Sequence, residues 1–270
     1  MKQARTGPFQ KFMRSAAGVF LAMAMGCVFQ AAWAQSGSPI PAGAVQTIVP
    51  HSAYGGGWIT RLFVANLTNS ANIVTINRID QIGNIVTSTT TTLAAAGTLE
   101  MADPESNRTL PLTINWFAIG SQGPVTASVL FDFQGAAAVP PSSFNTAIGA
   151  LASAQVTAFT AVARVTTAGS TVGLALANLN STSNTLTIKL FDQGGNLAAQ
   201  DSLTLGPFAQ TAFTLLQRTA FQNILQNKNV FDGTMEVSTS GSTMPVASLV
   251  VGANDQNQDF SLPVTSGVAK

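Results

Sequence analysis

Residues 62–84 read LFVANLTNSANIVTINRIDQIGN, and residues 174–196 read LALANLNSTSNTLTIKLFDQGGN. Aligned without a gap at an offset of 112, they share eleven identities in 23 positions: Leu62/Leu174, Ala65/Ala177, Asn66/Asn178, Leu67/Leu179, Asn72/Asn184, Thr75/Thr187, Ile76/Ile188, Asp80/Asp192, Gln81/Gln193, Gly83/Gly195 and Asn84/Asn196. Agreement of that density marks an internal repeat, which sets the organisation of a chain before any other signal. Within each copy, runs such as Leu62-Phe63-Val64-Ala65-Asn66-Leu67 and Val74-Thr75-Ile76-Asn77-Arg78-Ile79 are alternating or β-branched, as strands are. The Asp-Gln-x-Gly-Asn segment then reverses the chain: Asp80 and Asp192 can accept local backbone hydrogen bonds, and Gly83 and Gly195 permit positive φ. Residues 85–93, with serine or threonine at every position from 87 to 92, read as the returning strand of a hairpin.

The likeness continues outward at looser spacing. Pro124-Val125-Thr126-Ala127-Ser128-Val129-Leu130 mirrors Pro245-Val246-Ala247-Ser248-Leu249-Val250-Val251. Phe144-Asn145-Thr146-Ala147-Ile148 mirrors Phe260-Ser261-Leu262-Pro263-Val264 as a closing strand. The offset drifts to 121 and back to 116, which puts insertions in loops and places the first copy at 44–152 and the second at 153–267. A chain of 270 residues with 46% apolar residues can fill two cores. Short strands spaced by turns, with no long helices between them, predict an all-β fold of tandem antiparallel sandwiches. In the second copy Thr214-Leu215-Leu216-Gln217 fits a capping box, and Phe213, Leu216, Ala220 and Ile224 recur at helical spacing. In the first, Asp103-Pro104-Glu105 is a cap followed by a helix-starting proline. Each sandwich is therefore expected to carry a short helix or helical turn, closing the open end of its core.

The N-terminus has the layout of a processing segment. Lys2, Arg5, Lys11 and Arg14 form a basic region, residues 16–29 an apolar run, and Ala32-Trp33-Ala34 a small-residue cleavage pattern. The expectation is a signal peptide over 1–34, cleavage before Gln35, a linker over 35–43, and no membrane span after cleavage. Two alternatives stay open: an uncleaved apolar anchor, and lipidation at Cys27 in the degraded box Ala24-Met25-Gly26-Cys27. Cys27 is the only cysteine, so a chain cleaved before Gln35 has no disulfide and no thiolate site. Cleavage also leaves 8 basic against 11 acidic residues, a net charge of −3, with the basic ones scattered singly. Nucleic-acid binding needs a dense phosphate-neutralising stripe, which such a distribution excludes.

The segment Tyr54-Gly55-Gly56-Gly57-Trp58-Ile59-Thr60, followed by Ala65-Asn66-Leu67 and Asp80-Gln81-Ile82-Gly83-Asn84, resembles a tandem domain of an uncharacterised family of exported bacterial proteins. The second copy is similar to its companion form in Val172-Gly173-Leu174-Ala175-Leu176-Ala177-Asn178 and the closing Phe260-Ser261-Leu262-Pro263-Val264. The resemblance spans nearly all of the chain after residue 34. It implies two immunoglobulin-like β-sandwich domains outside the cytoplasm, and it brings no catalytic residues with it.

His51 is the only histidine, which cripples Ser-His-Asp, Cys-His and poly-histidine sites, and no Gly-x-Ser-x-Gly elbow accompanies it. The Gly55-Gly56-Gly57 run lacks the spacing of a phosphate-binding loop and reads as a tight entry into the next strand. Tyr54 and Trp58 flank it, and with Trp116 they are the candidate residues for an aromatic platform under a sugar ring. Asp255, Asn257 and Asp259 have the spacing of a calcium loop. However, Phe260 stands where the turn glycine belongs and no bidentate glutamate closes the loop. The acids fall mostly in predicted turns, with no pair marked as a glycosidase dyad. The expected function is a non-catalytic exported interaction protein without cofactor, secreted or held in the periplasm or at the cell surface. Its partner would be a protein or glycan of the cell envelope. The rivals are a carbohydrate-binding module built on those aromatics and a pilus-like subunit that assembles by strand exchange.

Overall fold

The computed structural model describes residues 37–133, 146–152, 155–225, 229–241, 245–253, 259–262 and 265–266. The expected leader, Cys27, Asp255 and Asn257 lie outside them, and Asp259 is described only as a strand residue. The first half runs β1 (Val45–Tyr54), β2 (Trp58–Asn66), β3 (Asn72–Asp80), β4 (Ile85–Leu93), β5 (Thr98–Ala102), β6 (Thr113–Ser121), β7 (Val125–Phe133) and β8 (Thr146–Leu151). The second runs β9 (Gln155–Val156), β10 (Ala158–Thr166), β11 (Thr171–Asn178), β12 (Asn184–Asp192), β13 (Leu197–Leu205), β14 (Gln210–Thr214), β15 (Val230–Thr239), β16 (Val246–Ala253), β17 (Asp259–Leu262) and β18 (Thr265–Ser266). The fold is all-β and its ladders are antiparallel, in keeping with a β-sandwich architecture.

The strands form four sheets, ordered β1-β6-β3-β4 and β5-β2-β7-β8 in the first half, and β18-β10-β15-β12-β13 and β14-β11-β16-β17 in the second. With β10 set against β1, the two orders repeat apart from the two-residue β18, which adds beyond β10, and β3, β4 and β5 meet β12, β13 and β14 at the same offset of 112. This order departs from the immunoglobulin pattern, in which the third, sixth and seventh strands share a sheet. Here β7 pairs with β2 and β8, and the place beside β6 is taken by β1.

Alternation explains the cores. In β12 every second residue is buried along most of its length, with Leu186, Ile188 and Leu190 inward beside Phe159, Leu174, Leu176 and Val237. In β3 the same alternation places Val74 and Ile76 inward beside Leu62, Phe117, Ile119 and Val129, but it breaks from Asn77 on, where outward residues are buried as well. The reason lies in the other half. The outward face of β1-β6-β3-β4 packs on the outward face of β14-β11-β16-β17, with Ile48, Ile79, Trp116 and Ala118 against Ala177 and Ala247. Ala175, Ala212 and Leu249 join the core cluster of the first half. Small residues on the second-half face let the backbones approach closely enough to seal the large ones.

The expected helical segments are 3₁₀ turns. Glu105–Thr109 follows Pro104, while Leu215–Gln217 and Thr219–Leu225 follow Thr214, whose backbone N–H donates to Gln217 Oε1 at 2.8 Å as a capping box requires. Leu215, Phe221 and Ile224 fill the end of the second core.

Candidate functional site

The three candidate aromatics lie in three unrelated environments. Trp58 is 7% exposed and packs on Phe133, ring centroids 4.6 Å apart. Trp116 is 0% exposed and sits in the seam between the halves. Tyr54 is half-buried beneath the Arg78 guanidinium, 5.6 Å from its ring centroid. A sugar platform needs adjacent rings with open faces, and these two buried indoles do not provide them.

The triple glycine is a two-residue hairpin turn at Gly56-Gly57, with Gly55 and Trp58 bridged and all three glycines at positive φ. Its N–H groups are already engaged: Gly55 donates to Trp58 O, Gly56 to Leu110 O and Gly57 to Arg108 O. No donors remain on the turn to cradle a phosphate or an oxyanion. A Cβ on Gly55 would meet Pro111 O at 2.1 Å, so this glycine is required by packing as well as by φ.

Arg108 holds the turn from below. Its Nη1 donates to Gly57 O and Asp132 O, and its Nη2 to Asp132 Oδ2 at 2.7 Å. Burial alone would lower its pKa, but hydrogen bonds to Glu105 and Asp132 outweigh that and hold the guanidinium above its ordinary value. The same hydrogen bond from Arg108 keeps the Glu105 carboxyl below the usual carboxylate range. Close by, Asp103 accepts from Arg78 at 2.6 Å and from Thr60 N at 3.1 Å, and Thr60 Oγ1 exchanges two hydrogen bonds with the Ala53 backbone. These charges neutralise one another and tie β1, β2 and the turn together, which is a structural task.

The repeated polar residues are also structural. Asp80 Oδ1 accepts from Ile82 N and Asn84 N, and Asp192 Oδ1 from Gly194 N and Asn196 N, the Asx geometry read from the sequence. Asn66 and Asn178 each brace a loop, donating to Ser70 O and Ala94 O in one copy and to Thr182 O and Gly206 O in the other.

The site that sequence reasoning missed is a polar seam between the halves. His51, 6% exposed, lies 5.4 Å from the Phe131 ring centroid, and its Nδ1 is 3.2 Å from Gln210 Nε2 of the second half. Burial pushes its pKa down to about 4, so the ring is neutral at pH 7. Gln210 N also donates to Gln81 O across the seam. Ser52 and Asn115 are cross-strand neighbours in the same region, and Ser52 Oγ and both amide atoms of Asn115 have no protein partner. The only sequence signal for this cluster was a lone histidine beside a strand whose residues 48–53 are nearly uncharged, which does not specify a second half as the cover.

Two shallow recesses lie on the second half, of about 280 Å³ beside Asp192, Gly194, Phe231 and Asp232, and about 290 Å³ beside Asp201, Gln217 and Arg218. Both fall below the range of roughly 300–1,000 Å³ usual for small-molecule sites. Among the described residues no group of three or more His, Cys, Asp or Glu side chains converges to hold a metal ion. Compared with family models and with curated proteins, the chain matches none.

Proposed function

We propose that this chain is an exported, non-catalytic interaction protein whose two sandwich domains, preceded by a cleaved signal peptide, work as one rigid body at the cell envelope. The observation that carries the reading is the seam: a fully buried tryptophan, a buried histidine and a row of alanines join the halves. A rigid two-domain spacer is useful for presenting a surface at a set distance, whereas catalysis needs mobile or unspent polar groups in a cleft. The acid–base groups around the triple glycine are committed to holding backbone. Export rests on the basic, apolar and small-residue order of residues 2–34. Among the described residues no helix is long and apolar enough to cross a membrane.

The test is expression of the full gene in a bacterial host, cell fractionation and mass spectrometry of the N-terminus. A soluble periplasmic or secreted chain beginning at Gln35 is the expected result, and that material should then co-sediment with outer-membrane vesicles or peptidoglycan. A chain retained in the cytoplasm with its first 34 residues intact overturns the reading.

A further inference from the structure

The two halves share one strand order but not one treatment of their outer edges. β4 and β13 are equivalent edge strands of nine residues each. Along β13, the 3₁₀ turn Thr219–Leu225 packs against the strand. Arg218 pairs with Asp201 in its middle and donates to Ser202 O, a backbone carbonyl of the edge. Such covering and charge are how proteins keep edge strands from pairing with other chains. β4 has neither. The corresponding turn of the first half, Glu105–Thr109, packs on β2 instead, and its Arg108 is directed to Gly57 and Asp132. Among the described residues β4 pairs with β3 alone.

The composition of β4 adds to this. Ile85-Val86-Thr87-Ser88-Thr89-Thr90-Thr91-Thr92-Leu93 contains no charge, no proline and no glycine, and residues 86–90 and 92 are exposed. Its one irregularity in pairing lies at the start, opposite Arg78 and Ile79. Threonine is a strong strand former, and Thr–Thr is a favourable cross-strand pair.

We propose that β4 is a self-association edge, on which a second copy of this chain adds its own β4 in antiparallel register to form a closed two-fold dimer. With Thr89 at the two-fold axis, Thr87 meets Thr91 of the other copy and Ser88 meets Thr90. Both faces of the joint are then hydroxyl ladders, and no like charges meet. A two-fold pairing places each residue opposite its own strand, so an uncharged strand suits it where a charged one would repel itself. In the sheet that carries β4 the other edge is β1, which packs on β11, β14 and β16 of the second half, so joining the two β4 strands uses the open edge and the pairing closes at two. The pairing does not depend on export or on an envelope partner.

The experiment is sedimentation velocity with light-scattering mass on the purified chain, from micromolar to millimolar concentration. It compares the parent with Thr89→Lys, Ser88→Glu and, on the capped edge, Gln200→Lys. The expected result is a monomer–dimer equilibrium in the parent and in Gln200→Lys. In the two β4 variants association should be about tenfold weaker or more, because each places like charges near the axis of an otherwise neutral joint. Circular dichroism should show unchanged strand content in all four, and the two β4 variants lie on opposite faces, so one misfolded variant does not decide the result. A parent that stays monomeric throughout overturns the proposal. So does a dimer that both β4 variants leave intact, or one that Gln200→Lys abolishes.

Discussion

Set side by side, the outward faces of β1-β6-β3-β4 and β10-β15-β12-β13 are the same surface built twice and used in opposite ways. One cross-strand row of the first is Ile48, Ala118 and Asn77; its counterpart in the second is Thr160, Glu236 and Lys189. The next row pairs Trp116 with Ile79 in the first half, and sets Thr234 between Val162 and Phe191 in the second. The partner sheets show the inverse. Phe63, Glu100 and Ser128 face solvent in the first half, where the second has Ala175, Ala212 and Leu249. Inward positions agree between the halves because both cores demand the same alternation. The outward positions diverge because one pair of faces meets and the other pair stays wet, so the repeat has kept its fold while differentiating its surfaces.

The largest expected break in that comparison is Trp116→Ala. A fully buried indole should cost about 3–5 kcal/mol when truncated, whereas Thr234→Ala at the equivalent exposed site should stay within about 0.5 kcal/mol. Urea unfolding monitored by circular dichroism measures both, and equal losses would mean that the seam is not sealed.

Acid should act next, through His51. Its pKa falls from 6.5 to about 4 on burial, so between those values the unfolded chain takes up a proton that the folded chain refuses. Stability is then full above pH 6.5 and declines as the pH drops toward 4, by about 3 kcal/mol in all. His51→Gln should remove that part of the pH dependence. Unfolding curves of the two proteins that run parallel between pH 7 and pH 4 would contradict it.

Gly83 and Gly195 sharpen the comparison at one repeated position. Both have positive φ, 96° and 78°, so alanine costs about 1 kcal/mol at either through backbone strain. A Cβ at Gly83 would also lie 2.7 Å from Pro207 O of the second half, while nothing lies within 4 Å of one at Gly195. Thermal unfolding should therefore show Gly83→Ala as the more damaging, by about 1–3 kcal/mol over Gly195→Ala. A null difference would mean that the halves separate easily.

Much of this was legible from local chemistry. Asp80, Gly83 and Asn84 announce a turn because one carboxylate and one positive φ suffice to make it. The Thr214 capping box was readable in the same way, although it opens 3₁₀ turns rather than an α-helix. An indole in a strand reads alike whether the covering surface is a core, a second half or a sugar. Trp58 found the first of these and Trp116 the second.

By itself, then, the sequence determined what is short-ranged: strand periods, turn types, the offset of 112 and the commitment to antiparallel sheets. Only the tertiary structure decided which sheet β1 and β7 join, which outward faces meet, that His51 reaches Gln210, and that β13 is capped while β4 is left open. The physical reason is that alternation tells a strand which residues lie on one side, but it does not tell that side what will cover it. The cover is set by where residues distant in sequence come to rest, as Gln210 does beside His51 and Ala247 beside Trp116.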